Sequence, residues 1–267
     1  MSRLFLASTV CTMSYTEAPQ RPSLSTAARL AFAFRAGLAS ARENALPGLF
    51  LWVFASAIVA AYFFLEPLTA ALDALGRLKV RGGFLYSALS TALFGGLIPF
   101  LWRLGSHARA SSRARVAGTA LPIPLWTVPA WQAALFLVFF WAWKGIEVDL
   151  LYRAQALVFG NGARFSVIAP KVIVDQFVYN PLWAAWTQVV AYWWLEKGFK
   201  PAPGEGRTLL RQMGSRSVTI LISTWGIWIP MVSIIYAMPA SLQIPLFNIV
   251  LCFWGLMLAS LSREKRE

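Results

Sequence analysis

Apolar residues along this chain are gathered into long windows that contain no Lys, Arg, Asp or Glu. The uncharged windows cover residues 44–65, 82–102, 116–143, 176–195 and 217–262. A helix that crosses a bilayer needs about 20 mostly apolar residues, because the hydrocarbon core is about 30 Å thick and an α-helix rises about 1.5 Å per residue. Each of the first four windows therefore predicts one transmembrane helix. The last window, 46 residues long, predicts two helices joined by a tight hairpin near Pro239.

These windows predict an all-α fold, a polytopic transmembrane helix bundle of about six spans. The expected spans cover residues 46–65, 84–102, 125–143, 177–195, 218–238 and 240–261. The corresponding segments are a basic amphipathic N-terminal segment (1–43), a first membrane half (44–143), a polar connection (144–175), a second membrane half (176–262) and a charged tail (263–267). Residues 125–143 fit either a full span or a re-entrant segment, and both alternatives stay open.

Composition supports a membrane protein over a soluble one. Hydrophobic residues make up 58% of the 267 positions and charged residues only 13%, whereas soluble domains carry roughly a quarter charged residues. A soluble helical core would also need charged faces on the apolar helices, and the windows supply none.

The net charge of +13 is distributed as membrane topology predicts. Of the 24 Lys and Arg residues, 17 lie in the N-terminal segment, the second and fourth connections and the tail, and 7 lie in the other connections. The positive-inside rule then places both termini on the cytoplasmic side or its topological equivalent. A basic nucleic-acid surface would cluster on one folded face, so no nucleic-acid partner is expected.

The N-terminal segment leaves the compartment open. The stretch "SLSTAARLAFAFRAGLASAR" spaces Arg29, Arg35 and Arg42 along a predicted helix. Mitochondrial transit peptides, interfacial basic helices and Arg/Ala-rich bacterial chains share this pattern. The bacterial inner membrane and the mitochondrial inner membrane are therefore both candidate locations.

Small residues and prolines mark the expected helix contacts. Ser87, Thr91 and Gly95 form one row at four-residue spacing, and Gly96 ends a neighbouring row, so these four are predicted helix-packing residues. Ser56 with Ala60, and Ala57 with Ala61, offer a matching small-residue face on the first span. Proline kinks that would permit gating are predicted at Pro181, Pro230 and Pro245.

Candidate catalytic chemistry is sparse in the sequence. The single histidine, His107, lies in a basic stretch where a solvated position is expected, and no HExxH, GxSxG or phosphate-loop motif occurs. Asp149 and Arg153, four residues apart, fit an exposed ion pair. Cys11 and Cys252 suit neither a disulfide framework nor a metal site. We therefore expect no enzyme activity, catalytic residue, metal or cofactor.

One stretch is unusually polar for its position beside an apolar window. In "KVIVDQFVYNPLW", a helix beginning at Pro170 would place Lys171 and Asp175 on one face, with Gln176 and Asn180 also one turn apart. These four residues are predicted to bind solute or line a pore, as a polar vestibule facing the bundle interior. Alternatively, Asp175 lies at headgroup level and only ends the connection.

The same stretch resembles a known family. "KVIVDQFVYNP" is similar to the K-x3-D-Q-x4-P signature of the peroxisomal 22 kDa membrane protein (Mpv-type) family, and "TWGIWIPMVSIIYAMP" is similar to that family's W-x2-W-P segment. The resemblance covers residues 170–262, about a third of the chain. Gln243 stands where the family usually has Arg, and the connection between Trp102 and Lys171 is much longer than the family's. The resemblance implies poorly selective passage of small solutes, in a family usually described with four spans.

Three functions follow in order of preference. The first is a pore or channel-like protein for small solutes or ions, with the lipid bilayer, the solute and a second copy of the chain as partners. The second is a non-transporting scaffold or assembly factor that uses the small-residue faces. The third, a lipid-acting enzyme, lacks convergent titratable groups.

Overall fold

The computed structural model describes residues 26–264, and every regular element in that range is helical. The helices are α1 (Thr26–Glu43), α2 (Ala45–Phe64), α3 (Glu66–Thr91), α4 (Ile98–Ala117), α5 (Ala130–Phe159), α6 (Phe165–Ile173), α7 (Ala185–Glu196), α8 (Glu205–Ala237) and α9 (Ala240–Glu264). Two π-helical segments, π1 (Ala92–Leu97) and π2 (Val174–Ala184), join α3 to α4 and α6 to α7. The predicted all-α class is confirmed. Residues 1–25, which include Cys11 and the start of the predicted N-terminal segment, and residues 265–267 of the predicted tail lie outside the described range.

Two helical stretches in residues 26–264 are long and apolar enough to cross a membrane, Ala45–Phe64 and Glu66–Ala117. Shorter apolar helical stretches occur at Leu30–Ala39, Thr224–Ala237 and Ala240–Leu256. The arrangement of six spans is therefore not confirmed, and the expected spans at 125–143, 177–195, 218–238 and 240–261 remain predictions. Helix α5, which contains most of the expected span 125–143, is not uniformly apolar, because its 30 residues continue from an apolar half into a half that carries charge.

Helices extend well into the segments that were expected to be connections. Helix α3 begins at Glu66 and not near residue 84, with one non-helical residue inside it at Gly83 (φ 54°, ψ −130°). Most of the predicted polar connection 144–175 is also helical, because α5 continues to Phe159 and α6 begins at Phe165. The expected helix start at Pro170 is thus wrong by five residues, and Pro170 lies inside α6. On these extensions Lys79, Lys144 and Asp149 are buried, whereas Glu66 and Arg153 are exposed.

Helix α8 lies at the centre of the bundle and contacts α1, α2, α6, α7, π2 and α9. It runs parallel to α1 and α2: Thr219 Oγ1 donates to the Ala33 carbonyl at 3.1 Å, and further along Trp52 Nε1 donates to the Ile227 carbonyl at 3.2 Å. A short turn at Met238 and Pro239 then reverses the chain into α9. The predicted hairpin near Pro239 is therefore present.

The predicted packing residues on α3 and π1 lie in close helix contacts. Ser87 and Thr91 are fully buried, and a methyl group added to Gly145 of α5 would lie 2.2 Å from the Ser87 carbonyl oxygen. A methyl group on Gly95 would lie 2.8 Å from both Leu251 and Trp141, and one on Gly96 would lie 3.0 Å from the Leu137 carbonyl oxygen. The partners of this small-residue face are α5 and α9.

Helix α2 was expected to supply the partner face, and that expectation is wrong. Ser56, Ala57 and Ala60 are exposed on the outside of α2. The short side chains of α3 instead meet the glycine of α5, where two helix backbones can approach closely.

The two π segments coincide with prolines. Pro181 lies inside π2 and Pro99 directly follows π1, and each segment ends in a bond from residue i to the carbonyl of residue i−5, Ala185 to Asn180 and Ile98 to Leu93. A proline ring collides with the carbonyl four residues earlier in an α-helix, and the wider π turn relieves that collision. At Pro230 and Pro245, α8 and α9 continue as α-helix through the proline.

A buried amide joins α3 to α9. Asn248 is 1% exposed, its Oδ1 accepts from Thr91 Oγ1 at 2.8 Å, and its Nδ2 donates to Ser90 Oγ at 2.8 Å. Both ends of the amide are satisfied, as a buried polar side chain requires.

Candidate functional site

Polar side chains are buried where the second half of α5 packs against α3 and α6 and where its side chains meet Tyr179 of π2 and Tyr236 of α8. Lys144, Val148, Tyr152 and Gln155 of α5 are all buried and follow each other at helical spacing along one face. Apolar residues from α3, α6, α8 and α9 surround these side chains, among them Leu72, Val172, Ile235 and Leu242. The polar groups in this region of the bundle form three clusters.

The first cluster is centred on the Asp149 carboxylate. Lys79 Nζ and Ser87 Oγ of α3 each donate to Asp149 Oδ2 at 2.8 Å, and Arg153 Nε donates to Oδ1 at 3.0 Å. Asp149 is 2% exposed and Lys79 is 5% exposed, while Arg153 is about half exposed. The predicted Asp149–Arg153 pair therefore forms, but the expectation that it is an exposed pair is wrong for Asp149, which is held inside by α3.

The second cluster is centred on the Glu147 carboxylate. Trp143 Nε1 donates to Glu147 Oε2 at 2.9 Å, and both Lys144 Nζ and the Tyr179 hydroxyl donate to Oε1. Lys144 also donates to Thr187 Oγ1 at 3.1 Å. These bonds tie α5 to π2 and α7.

The third cluster contains the residues predicted to bind solute. The Tyr236 hydroxyl of α8 donates to Asp175 Oδ2 at 2.7 Å, and Gln176 Nε2 donates to Asp175 Oδ1 at 2.9 Å. Asp175 is 6% exposed and Gln176 is 3% exposed. Asn180 Nδ2 lies 3.5 Å from Gln176 Oε1, so the three residues are brought together on the inner face of π2.

Lys171, the fourth predicted residue, is buried beside this group without pairing with it. Its side chain is 1% exposed, and its ammonium lies 5.7 Å from the centre of the Tyr236 ring. Within residues 26–264, no hydrogen bond or ion pair joins Lys171 Nζ to Asp175 or to another acceptor. The two residues share a helix face, as the spacing predicted, but the Asp175 oxygens face Tyr236 and Gln176.

Three further residues of this cluster were missed from the sequence: Tyr236, Tyr152 and Gln155. The Tyr152 ring lies 4.9 Å from the Tyr236 ring, and Gln155, one helical turn after Tyr152, also neighbours Tyr236. Gln155 is 3% exposed, and neither its Nε2 nor its Oε1 has a hydrogen-bond partner in the described part of the chain. The helical spacing of Lys144, Val148, Tyr152 and Gln155 was the available signal, but it becomes visible only when residues 144–159 are taken as helix.

Other candidate features lie apart from this cluster. A surface cavity of about 360 Å³ is formed between α3 and α9 by Asp73, Gly76, Arg77, Val80, Arg81 and Ser241. His107 is on α4, with Nε2 3.1 Å from the Ile123 carbonyl oxygen. Within the described residues, no group of three or more His, Cys, Asp or Glu side chains could hold a metal ion.

Comparison with models of known protein families, with curated proteins and with solved structures yields no match for this chain. The resemblance to the Mpv-type family therefore remains a prediction that rests on the residues quoted for it.

Proposed function

We propose that this chain is an integral membrane protein, a pore or channel-like protein for small solutes or ions. The apolar stretches Ala45–Phe64 and Glu66–Ala117 support its placement in a membrane. Further apolar side chains are widely exposed on α5 and α7, where lipid would cover them, including Trp131, Phe139, Trp143 and Trp194. Six spans with both termini on one side remain the proposed topology.

One observation carries the proposal: a lysine, an aspartate and a glutamine are buried together in the bundle interior, with the half-buried Asn180 beside them. Lys171, Asp175 and Gln176 are each no more than 6% exposed, yet they lie on a helix whose outer face carries Phe177 and Trp183. Ionisable side chains inside a helical membrane bundle are costly, and they commonly mark a solute or ion pathway. In this proposal the residues line a polar route for the solute.

Solute flux through liposomes tests the proposal. Full-length protein in liposomes is expected to release small encapsulated ions faster than protein-free liposomes, and Asp175→Asn is expected to change the rate or the ion preference. Glu66→Gln is the matched control, because Glu66 is an exposed carboxylate at the start of α3. Tight wild-type liposomes would refute the proposed pore, and equal flux and ion preference in Asp175→Asn and wild type would refute the pore-lining role of Asp175.

Labelling of single cysteines tests the route itself. Cysteines placed from Lys171 to Trp186 in a chain without Cys11 and Cys252 are expected to react with a small water-soluble thiol reagent at helical intervals beyond Pro181. Reaction that stops at Gln176 would place Asp175 at the headgroups and contradict the proposed route.

Helix α2 supports a second candidate, a scaffold for other membrane helices. Leu46, Phe50 and Val53 of α2 are each more than 60% exposed, and the small residues Ser56 and Ala60 lie on its uncovered surface. This face leaves room for another helix. Stable co-purification of a partner protein that depends on Ala60, together with tight liposomes, would favour this function over the pore.

A further inference from the structure

The charge left without a counter-group in the third cluster is the lysine. Asp175 accepts a hydrogen bond on each carboxylate oxygen, from Tyr236 at 2.7 Å and from Gln176 at 2.9 Å. Lys171, 1% exposed, has only the Tyr236 ring as a neighbour of its ammonium among the interactions described for residues 26–264. A buried ammonium has three donors to satisfy and is costly when they stay unmet.

The Gln155 amide adds unmet donors at the same tyrosine. It is 3% exposed, and both its nitrogen and its oxygen are buried without a partner among the described residues. Helix α5 holds it there, because Tyr152 one turn earlier packs its ring 4.9 Å from the ring of Tyr236. Leaving a buried amide unpaired costs about 1–3 kcal/mol, so such groups in folded proteins normally meet a water or a ligand.

Among the described polar groups near Tyr236 that lack a hydrogen-bond partner, donors outnumber acceptors. Lys171 offers three N–H groups and Gln155 offers two, against one unpaired acceptor in the described part of this cluster, Gln155 Oε1, and each Asp175 oxygen already accepts one bond. The species that complements this set supplies acceptor oxygens and a negative charge. Tyr236 is the second-last residue of α8, so the cluster lies close to the end of the bundle, where a solute would enter.

We propose that Lys171 and Gln155 form a binding site for a small monovalent anion, and that Lys171, not Asp175, sets the charge preference of the route. This inference rests on the proposed passage of small solutes and names their class. Asp175 then acts as a positioning residue, since it holds the Tyr236 hydroxyl and leaves the ammonium free for the solute.

Anion-dependent thermal unfolding of the purified full-length protein tests the site. Formate and nitrate, titrated against gluconate at constant ionic strength, are expected to raise the wild-type Tm in a saturable way, because a ligand that binds the folded state stabilises it. Lys171→Gln is expected to weaken the apparent affinity at least tenfold. Lys200→Gln is the matched control, because Lys200 is exposed in the connection before α8 and its loss leaves the titration unchanged.

Two more variants keep the test decisive if Lys171→Gln does not fold. Lys171→Arg keeps the charge and is expected to retain the anion effect, whereas Gln155→Leu removes the amide and is expected to reduce it. An absent or non-saturable anion effect in the wild type, which is the result for a cluster that holds only water, overturns the inference. Equal titrations of wild type, Lys171→Gln and Gln155→Leu overturn it as well.

Liposome flux separates this inference from the proposed function. Saturable anion binding in a protein whose liposomes stay tight supports the site and refutes the pore. Ion flux without anion preference, in a protein that shows no anion-dependent stabilisation, supports the pore and refutes the site. If both hold, Lys171→Gln is expected to shift the anion-to-cation permeability ratio toward cations by several fold, while Lys200→Gln leaves it unchanged.

Discussion

At the scale of single residues, the buried Asp149 carboxylate is paired with donors from another helix. Asp149 meets two groups from α3, Lys79 and Ser87, each at 2.8 Å, in addition to Arg153 from its own helix. Removing one member of a buried ion pair leaves the other charge uncompensated, whereas removing both with apolar replacements is often neutral. The stability losses from substituting Lys79 and Asp149 singly are therefore not expected to add up in the double variant.

Lys79→Met is expected to lower the free energy of unfolding by about 2–4 kcal/mol, because it removes the buried cationic partner of Asp149 and leaves only Ser87 and the half-exposed Arg153. The double variant Lys79→Met/Asp149→Leu is expected to lose less than the sum of the two single variants. Arg153→Ala is the control at the same carboxylate: Arg153 is about half exposed, so its loss is expected to cost about 0–1 kcal/mol. Reversible unfolding in mixed micelles measures all four, and additive losses would contradict the coupling.

A second residue-scale prediction concerns the connection between α7 and α8. Hydrogen bonds from Lys197 and from the Ala202 backbone N–H lower the pKa of Glu205 below its ordinary value. The charged form of Glu205 is thus favoured in the folded chain. The stabilisation that it gives the connection is fully present above the ordinary carboxyl pKa and is lost as pH falls through the lowered pKa.

Hydrogen exchange of residues 197–205 in wild type and Glu205→Gln checks this dependence. At neutral pH the wild type is expected to exchange more slowly than Glu205→Gln, and the difference is expected to vanish as pH falls through the lowered pKa. A difference that grows with acidification would show that the sign is reversed.

At the scale of elements, the bundle is held by close backbone approach between α3 and α5. Gly145 faces the Ser87 carbonyl so closely that an added methyl group would lie 2.2 Å from its oxygen and 2.7 Å from Thr91 Oγ1. Backbone atoms cannot move aside as a flexible side chain can, so a larger residue has to separate the two helices. That separation would also disturb Asp149, one turn along α5.

Gly145→Ala is expected to destabilise the protein by about 1–3 kcal/mol through overpacking. Gly105→Ala on α4 is the matched control: an added methyl group there meets no atom within 4 Å, and alanine favours helix over glycine by about 1 kcal/mol. In thermal unfolding, Gly145→Ala is expected to lower the Tm and Gly105→Ala to raise it. Equal effects would mean that α3 and α5 are not in this contact.

At the scale of the whole molecule, absence of charge was a good guide to where helices lie and a poor guide to where they end. Helix α2 covers Ala45–Phe64, close to the predicted 46–65. The charged residues of α3 and α5 were assigned to connections because charge was taken to mean solvent. Lys79, Lys144 and Asp149 instead point inward and have partners on other helices, with Thr187 as the partner of Lys144, and a single sequence does not specify those partners.

The candidate site was predictable to a similar extent. Spacing placed Lys171 and Asp175 on one face, and both are buried there. Tyr236 comes from a helix 61 residues further along the chain, so its bond to Asp175 depends on tertiary packing. The absence of a Lys171–Asp175 ion pair has the same origin, since Tyr236 and Gln176 occupy the carboxylate.

The side of the membrane that each connection faces distinguishes an arrangement of six spans from one in which only the two long apolar stretches cross. Single cysteines at Asn161 and Ala202, both exposed in connections, are expected to react with an impermeant thiol reagent from opposite sides of the membrane if the bundle has six spans. If only Ala45–Phe64 and Glu66–Ala117 cross, both positions lie on one side. Labelling of intact and permeabilised vesicles, in a chain without Cys11 and Cys252, measures the side directly.

The order in which partners emerge from the ribosome differs between the two buried aspartates. Lys79 and Ser87 are synthesised before Asp149, and Arg153 follows four residues later, so that carboxylate is neutralised as soon as α5 forms. Tyr236, which donates to Asp175, is synthesised 61 residues after it, a delay of roughly 3–12 s at typical elongation rates. A nascent chain that ends before α8 therefore leaves Asp175 Oδ2 without its donor, while Oδ1 can already accept from Gln176.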